Sequence, residues 1–146
     1  MAKVITQRVS PDIFAPGVIK MLALASGGHI RDFLLLVRDA ATEFSQRITK
    51  TDAERAVANL TDLYDRTLEQ PFIEPLDFVV KHGVLPGGPH DGELIYRLLV
   101  LEYRDSENNH WAALHPCVKE APRYVRSPRE RKEWQGSPVQ RPGPRC

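Results

Sequence analysis

From Ile30 onward the apolar residues Ile30, Phe33, Leu34, Val37, Ala40, Ala41 and Phe44 recur at offsets of three, four and seven, while Arg31, Asp32, Arg38, Asp39 and Glu43 fall largely on the other face. That spacing predicts an amphipathic helix. A second run, Ala53, Ala56, Val57, Leu60, Leu63, Tyr64 and Leu68, keeps the same period until Pro71 breaks it, and Thr51 with Glu54 has the form of a capping box at its start. Upstream, Ser10, Pro11 and Asp12 read as a helix start, with a capping hydroxyl, a proline in the first turn and an acid facing the positive end of the dipole. The apolar set Phe14, Val18, Met21, Leu22 and Ala25 follows at helical spacing, and Gly27 with Gly28 should end that helix in a sharp turn. Residues 10 to 70 are therefore expected to form a three-helix unit.

The pattern then changes. Pro71, Pro75, Pro86, Gly87, Gly88 and Pro89 punctuate the chain and leave room for short helices near Leu76–Lys81 and Asp91–Leu99. After these the period becomes two: Val100 to Arg104 reads as a strand, Asp105 to Asn109 as a polar turn and His110 to Leu114 as a returning strand. An isolated hairpin is marginal in water, so this one must pack on the helices through side chains such as Leu101, Tyr103, Trp111 and Leu114. Helices followed by such a pair suggest a mainly α fold ending in a winged-helix-like unit.

Charge adds a boundary. Of 146 residues, the first 120 carry 13 Lys and Arg against 17 Asp and Glu, whereas residues 121 to 146 carry 7 against 2 and hold five of the 12 prolines. That basic tail has no apolar periodicity and is expected to be disordered. It could meet nucleic acid or an acidic partner, though it reads first as a solubilising segment; Trp134 within it is incidental or a short docking motif. No apolar run is long enough to cross a bilayer, and the first eight residues, with Lys3 and Arg8, have no long apolar stretch behind them, so a cytoplasmic address is expected and a membrane is not. The two cysteines, Cys117 and Cys146, provide neither a disulfide framework nor metal-site spacing.

Reactive chemistry is thin. His29, His82, His90, His110 and His115 are scattered without ligand spacing and read as surface or loop residues, while Cys117, after Pro116, reads as a small buried residue. No nucleophile elbow is present, and neither Gly27-Gly28 nor Gly87-Gly88 belongs to a phosphate-binding loop motif, so the chain is not expected to hydrolyse ATP by itself or to be an enzyme. One constellation stands out: Ser26-Gly27-Gly28-His29-Ile30-Arg31-Asp32 sets an arginine in the first turn of the strong helix, just after a glycine corner. From there a guanidinium can reach a phosphate held by another domain. The plainer reading is a solvated arginine paired with Asp32 or Asp39.

The stretch from Ser26 to Ala40, followed by Ile48-Thr49-Lys50-Thr51-Asp52-Ala53-Glu54-Arg55-Ala56, resembles the helical lid of AAA+ ATPases. In that family a glycine-rich corner leads into a helix bearing the "sensor 2" arginine, a position that Arg31 matches. Leu98 to Arg104 and His110 to Val118 are similar to the winged-helix-like segment that follows the lid in some bacterial ATP-binding proteins of the AAA+ and related signalling groups. The resemblance covers roughly residues 7 to 120. It implies a lid-like three-helix bundle over 7–70, a winged-helix-like segment over 71–120 and the tail over 121–146. It further implies that Arg31, with Gly27 and Gly28, senses a nucleotide at its β- and γ-phosphates. The parts of such an ATPase that bind ATP are missing from these 146 residues, so the chain looks like the C-terminal end of one, a fragment or a split subunit. ATP is then expected only together with a P-loop ATPase domain or subunit, with no cofactor and no metal held by the chain alone.

Two other function classes remain open from the sequence. A winged-helix DNA regulator would use the Asp105–Asn109 hairpin turn as its wing, but that turn and the first 120 residues are acidic, which disfavours phosphate contacts. A protein-interaction module without any nucleotide role is the other.

Overall fold

In the computed structural model, residues 10–42 and 46–126 are described. A 3-10 turn, Pro11–Ile13, leads into seven helices and one hairpin: α1 (Val18–Ala25), α2 (Ile30–Ala40), α3 (Lys50–Thr67), α4 (Gln70–His82), α5 (Asp91–Tyr96), β1 (Val100–Arg104), β2 (His110–Leu114), α6 (Pro116–Glu120) and α7 (Pro122–Arg126). The described chain is thus mainly helical with one small antiparallel sheet, and none of its helices is long and apolar enough to cross a membrane.

The three helices expected before residue 70 are present; α2 starts at Ile30 as expected, and the starts of the other two are shifted. Ser10 and Pro11 open only the 3-10 turn, because the left-handed Gly17 (φ 83°) resets the backbone before α1 begins. Helix α3 begins earlier than expected. Thr49, not Thr51, is its cap: the Thr49 hydroxyl accepts from the Asp52 amide at 3.3 Å and the Asp52 carboxylate accepts from the Thr49 amide at 2.8 Å. The shorter aspartate closes the box that Thr51 and Glu54 were expected to form. A parallel bridge between Phe14 and Ile48, with Ile48 donating to the Ile13 carbonyl at 2.6 Å, ties the entry of α1 to the entry of α3.

Helix α2 is rotated from the expected phase. Phe33, Leu36 and Ala40 are buried as one face, but Asp32 is buried beside them, while Ile30 and Leu34 are 43% and 47% exposed. Phe44 and Glu43 lie outside the described residues.

Past residue 70 the helices differ in extent from expectation. Helix α4 starts six residues before Leu76, because Pro71 falls in its first turn, where a missing N–H costs nothing. It tolerates Pro75 inside and stops at Gly83, which is left-handed (φ 68°). Helix α5 is shorter than Asp91–Leu99 and ends at Tyr96. The hairpin pairs Val100 with Leu114 through Arg104 with His110, the register expected from the alternation. Its turn is organised by Asp105, whose carboxylate accepts from the amides of Glu107 and Asn109. Strand β2 is also fastened to α4, as the Ala112 amide donates to the Gly83 carbonyl at 2.7 Å.

A single cluster of buried side chains runs from Phe14, Leu22 and Phe33 through Tyr64 and Phe72 to Leu99, Leu114, Val118 and Tyr124, so the segments before and after residue 70 share one core. The tail expectation needs correction at its start. Ala121 and Tyr124 are buried, the Tyr124 hydroxyl donates to Asp77, and the Arg123 amide donates to Asp65, which together hold α7 on the core. The anchoring apolar groups were too few to show as a period. Trp134 and Cys146 lie outside the described residues.

Candidate functional site

The site singled out by sequence is the corner between α1 and α2. Ser26 is fully buried and its hydroxyl donates to the Ala23 carbonyl at 2.8 Å, closing α1. Gly27 and Gly28 then take left-handed φ values of 60° and 84°. At Gly27 the glycine is required twice over. A β-carbon there would stand 2.6 Å from Leu101 Cδ1 and 2.8 Å from Pro116 Cδ, on a backbone that side chains rarely adopt. The Gly27 carbonyl accepts a hydrogen bond from the Tyr103 hydroxyl at 2.6 Å. The hairpin and the start of α6 thus press directly on this corner.

His29 caps α2 without a side-chain bond to its amides. Arg31, in the first turn, is exposed, and among the described residues no ion pair or hydrogen bond holds its guanidinium. Both acids that could have paired with it are engaged elsewhere: the Asp39 carboxylate accepts from Asn59 at 2.9 Å, and that of Asp32 accepts from the Tyr64 hydroxyl at 2.5 Å. Ile30, Arg31, Leu34 and Arg38 lie at helical offsets that share one side of α2, and all four are exposed.

Sequence reasoning missed the residue next door. Asp32 is 3% exposed, and around it gather Tyr64 from α3, His115 from the turn before α6 and His29 from the corner. His115 Nε2 stands 3.3 Å from Asp32 Oδ2, in ion-pair range although oblique for a hydrogen bond, and His29 Nδ1 stands 3.6 Å from Oδ1. Of the histidines expected on surfaces or in loops, His115 does lie in a loop, between β2 and α6, but it is fully buried there and stacked on Tyr64 at 4.4 Å between ring centroids. Its Nδ1 accepts from the Cys117 amide at 3.2 Å and so caps α6, which turns Nε2 toward the carboxylate.

The chemistry of this cluster is that of a fastener. Burial pushes the Asp32 carboxyl up, but the closeness of His115, the hydrogen bond from Tyr64 and the closeness of His29 bring it net below its ordinary value. Burial first, and then Asp32, push the Tyr64 phenol far up, so it remains a donor at any ordinary pH. Cys117 is buried as expected; burial raises its thiol, which donates to the Ala25 carbonyl at 3.6 Å. A carboxylate with its donors supplied and its face closed to water orients α2.

No family model, curated protein or solved structure matches this chain. The reading of the corner rests on its own geometry. Among the described residues no three His, Cys, Asp or Glu side chains come together as a metal site. The other glycine pair, Gly87-Gly88, forms an open loop whose Gly87 amide donates to Asp91 Oδ2 at 2.8 Å.

Proposed function

We propose that this chain is the non-catalytic lid of an ATP-binding protein of the AAA+ type, followed by a winged-helix-like segment, and that Arg31 meets the phosphates of a nucleotide held by a P-loop core in cis or in trans. The observation that carries the reading is Arg31 itself, exposed on the first turn of α2 and with no acidic partner among the described residues, while its neighbour Asp32 is locked into the core. A planar guanidinium on a rigid turn is well suited to phosphate oxygens. The exposed Ile30 and Leu34 beside it support the same reading, since two half-exposed aliphatic residues with two arginines form a surface that a neighbouring domain can cover. The Gly27-Gly28 corner contributes by geometry, as Gly27 packs against Leu101, Tyr103 and Pro116.

An interaction module with no nucleotide role is the second reading, favoured by Trp111, 44% exposed on the hairpin. DNA binding is disfavoured by the acidic turn, where Asp105 and Glu107 are both exposed.

The test is capture of the endogenous polypeptide with an antibody to residues 10–70, followed by intact mass and titration with MgATP. The expected result is an assembly that binds MgATP through a P-loop, in the same polypeptide or in a stable partner, with Arg31→Ala weakening that binding about tenfold. An assembly that binds no MgATP, or an Arg31→Ala variant that binds it unchanged, overturns the reading.

A further inference from the structure

The turn that carries Arg31 is held at both ends by one later stretch of chain. Upstream, the Tyr103 hydroxyl donates to the Gly27 carbonyl at 2.6 Å across a separation of 76 residues, and Leu101 and Pro116 close over the Gly27 α-carbon. Cys117 adds to the upstream hold by donating to the Ala25 carbonyl just before the corner, and downstream His115 Nε2 stands 3.3 Å from Asp32 Oδ2. All of these groups lie within residues 101–117, the hairpin and the start of α6. Between the two holds are Gly28, His29, Ile30 and Arg31.

Two consecutive glycines give a chain no steric reason to choose one corner over another. Here the choice is made from outside. The Tyr103 hydroxyl fixes the Gly27 carbonyl, and through it the peptide joining Gly27 to Gly28, so the direction in which α2 leaves the corner depends on the hairpin. The Tyr103 ring is in turn stacked on Trp111 at 5.5 Å between centroids, and Trp111 is 44% exposed. A side chain open to solvent is therefore two contacts away from the backbone that aims Arg31.

We propose that the segment 101–117 sets the placement of Arg31, with Tyr103 as the positioning residue, so that displacement of the hairpin weakens the hold of Arg31 on nucleotide. This rests on the reading of Arg31 given above. Tyr103 touches no nucleotide; it acts through the Gly27 carbonyl. Asp32, held separately by the Tyr64 hydroxyl from α3, keeps α2 in the core when Tyr103 lets go, so the effect is a loss of aim and not of fold.

Tyr103→Phe is the variant to make, because it removes the hydroxyl and keeps the ring against Trp111. In the full chain, hydrogen exchange of the amides from Gly27 to Arg31 should rise about threefold to tenfold, matching the loss of one hydrogen bond. In the captured assembly, MgATP affinity should fall by a similar factor, and the double variant Tyr103→Phe with Arg31→Ala should be no weaker than Arg31→Ala alone. A purely structural role for Tyr103 would instead multiply with Arg31→Ala. Unchanged exchange at the corner, or multiplicative effects on MgATP binding, overturns the inference while leaving the Arg31 reading intact. An Arg31→Ala variant that binds MgATP normally overturns both.

Discussion

The two glycine pairs of this protein look alike as text and behave differently in space. Gly27-Gly28 and Gly87-Gly88 each precede a helix that carries an aspartate in its first turn, Asp32 in α2 and Asp91 in α5. At the first, the hairpin and Pro116 press on the backbone and the aspartate is buried among Tyr64, His115 and His29. At the second, a β-carbon on Gly87 would meet nothing within 4 Å, and Asp91 simply accepts from the Gly87 amide. A glycine before a helix therefore says only that the chain turns. Whether the turn is also a contact surface depends on what the rest of the fold brings to it.

The sharpest way to break this comparison is Gly27→Ala against Gly87→Ala. The first adds an unfavourable φ and a methyl that Leu101 can partly evade but the Pro116 ring cannot, and should cost about 4 kcal/mol. The second adds a positive φ alone and should cost about 1 kcal/mol. Urea titration of both variants decides the matter; equal losses would mean that the corner yields and that the hairpin contact is incidental.

Next in size is Asp32→Ala, which leaves the buried Tyr64 hydroxyl without its acceptor and removes the carboxylate facing His115 Nε2, and should cost about 3 kcal/mol, far more than Asp91→Ala. A small loss at Asp32 would show that water or neighbouring groups replace the carboxylate readily.

The pH dependence follows from the same residue. Because the folded state lowers the Asp32 carboxyl below its ordinary value, it contributes stability that is complete at neutral pH and is lost as pH falls through the folded value. Asp52, lowered by Thr49, and Asp105, lowered by Asn109, add in the same direction. Urea midpoints measured from about pH 7 down to about pH 3 should therefore decline, and Asp32→Asn should decline less steeply than the wild type. An unaltered slope in that variant would assign the acid sensitivity to the two surface caps.

Smallest of all is Gly88→Ala, where the added methyl meets only Asp91 at 3.9 Å on an ordinary backbone, and thermal unfolding should shift by no more than about half a kcal/mol. A large loss there would show that the second loop is also constrained, and the contrast between the two pairs would collapse.

Much of the fold was legible because local signals were strong. The alternation of Val100–Arg104 and His110–Leu114 around Asp105 and Asn109 fixed the hairpin and its register, and the apolar stripes marked α2 and α3. Helix starts were read less well, since Thr49 with Asp52 and Thr51 with Glu54 offer competing boxes and only one can be closed. At the candidate site, the apolar spacing set Arg31 and Asp32 on the same polar face, yet only Arg31 is exposed. The burial of Asp32 was not legible, because its partners come from residues 64 and 115, distant in sequence and individually unremarkable.

The sequence by itself determined that this chain makes amphipathic helices and then a hairpin, because side-chain periodicity and turn chemistry act over a few residues. It also set the arginine three residues past a glycine pair. Only the tertiary structure decided that this pair is gripped by Tyr103, Leu101 and Pro116, and that a charged neighbour is buried while Arg31 remains in water. The reason is physical: a glycine corner has no preferred direction and a buried carboxylate no tolerable state until distant groups supply the contacts and hydrogen bonds that select one.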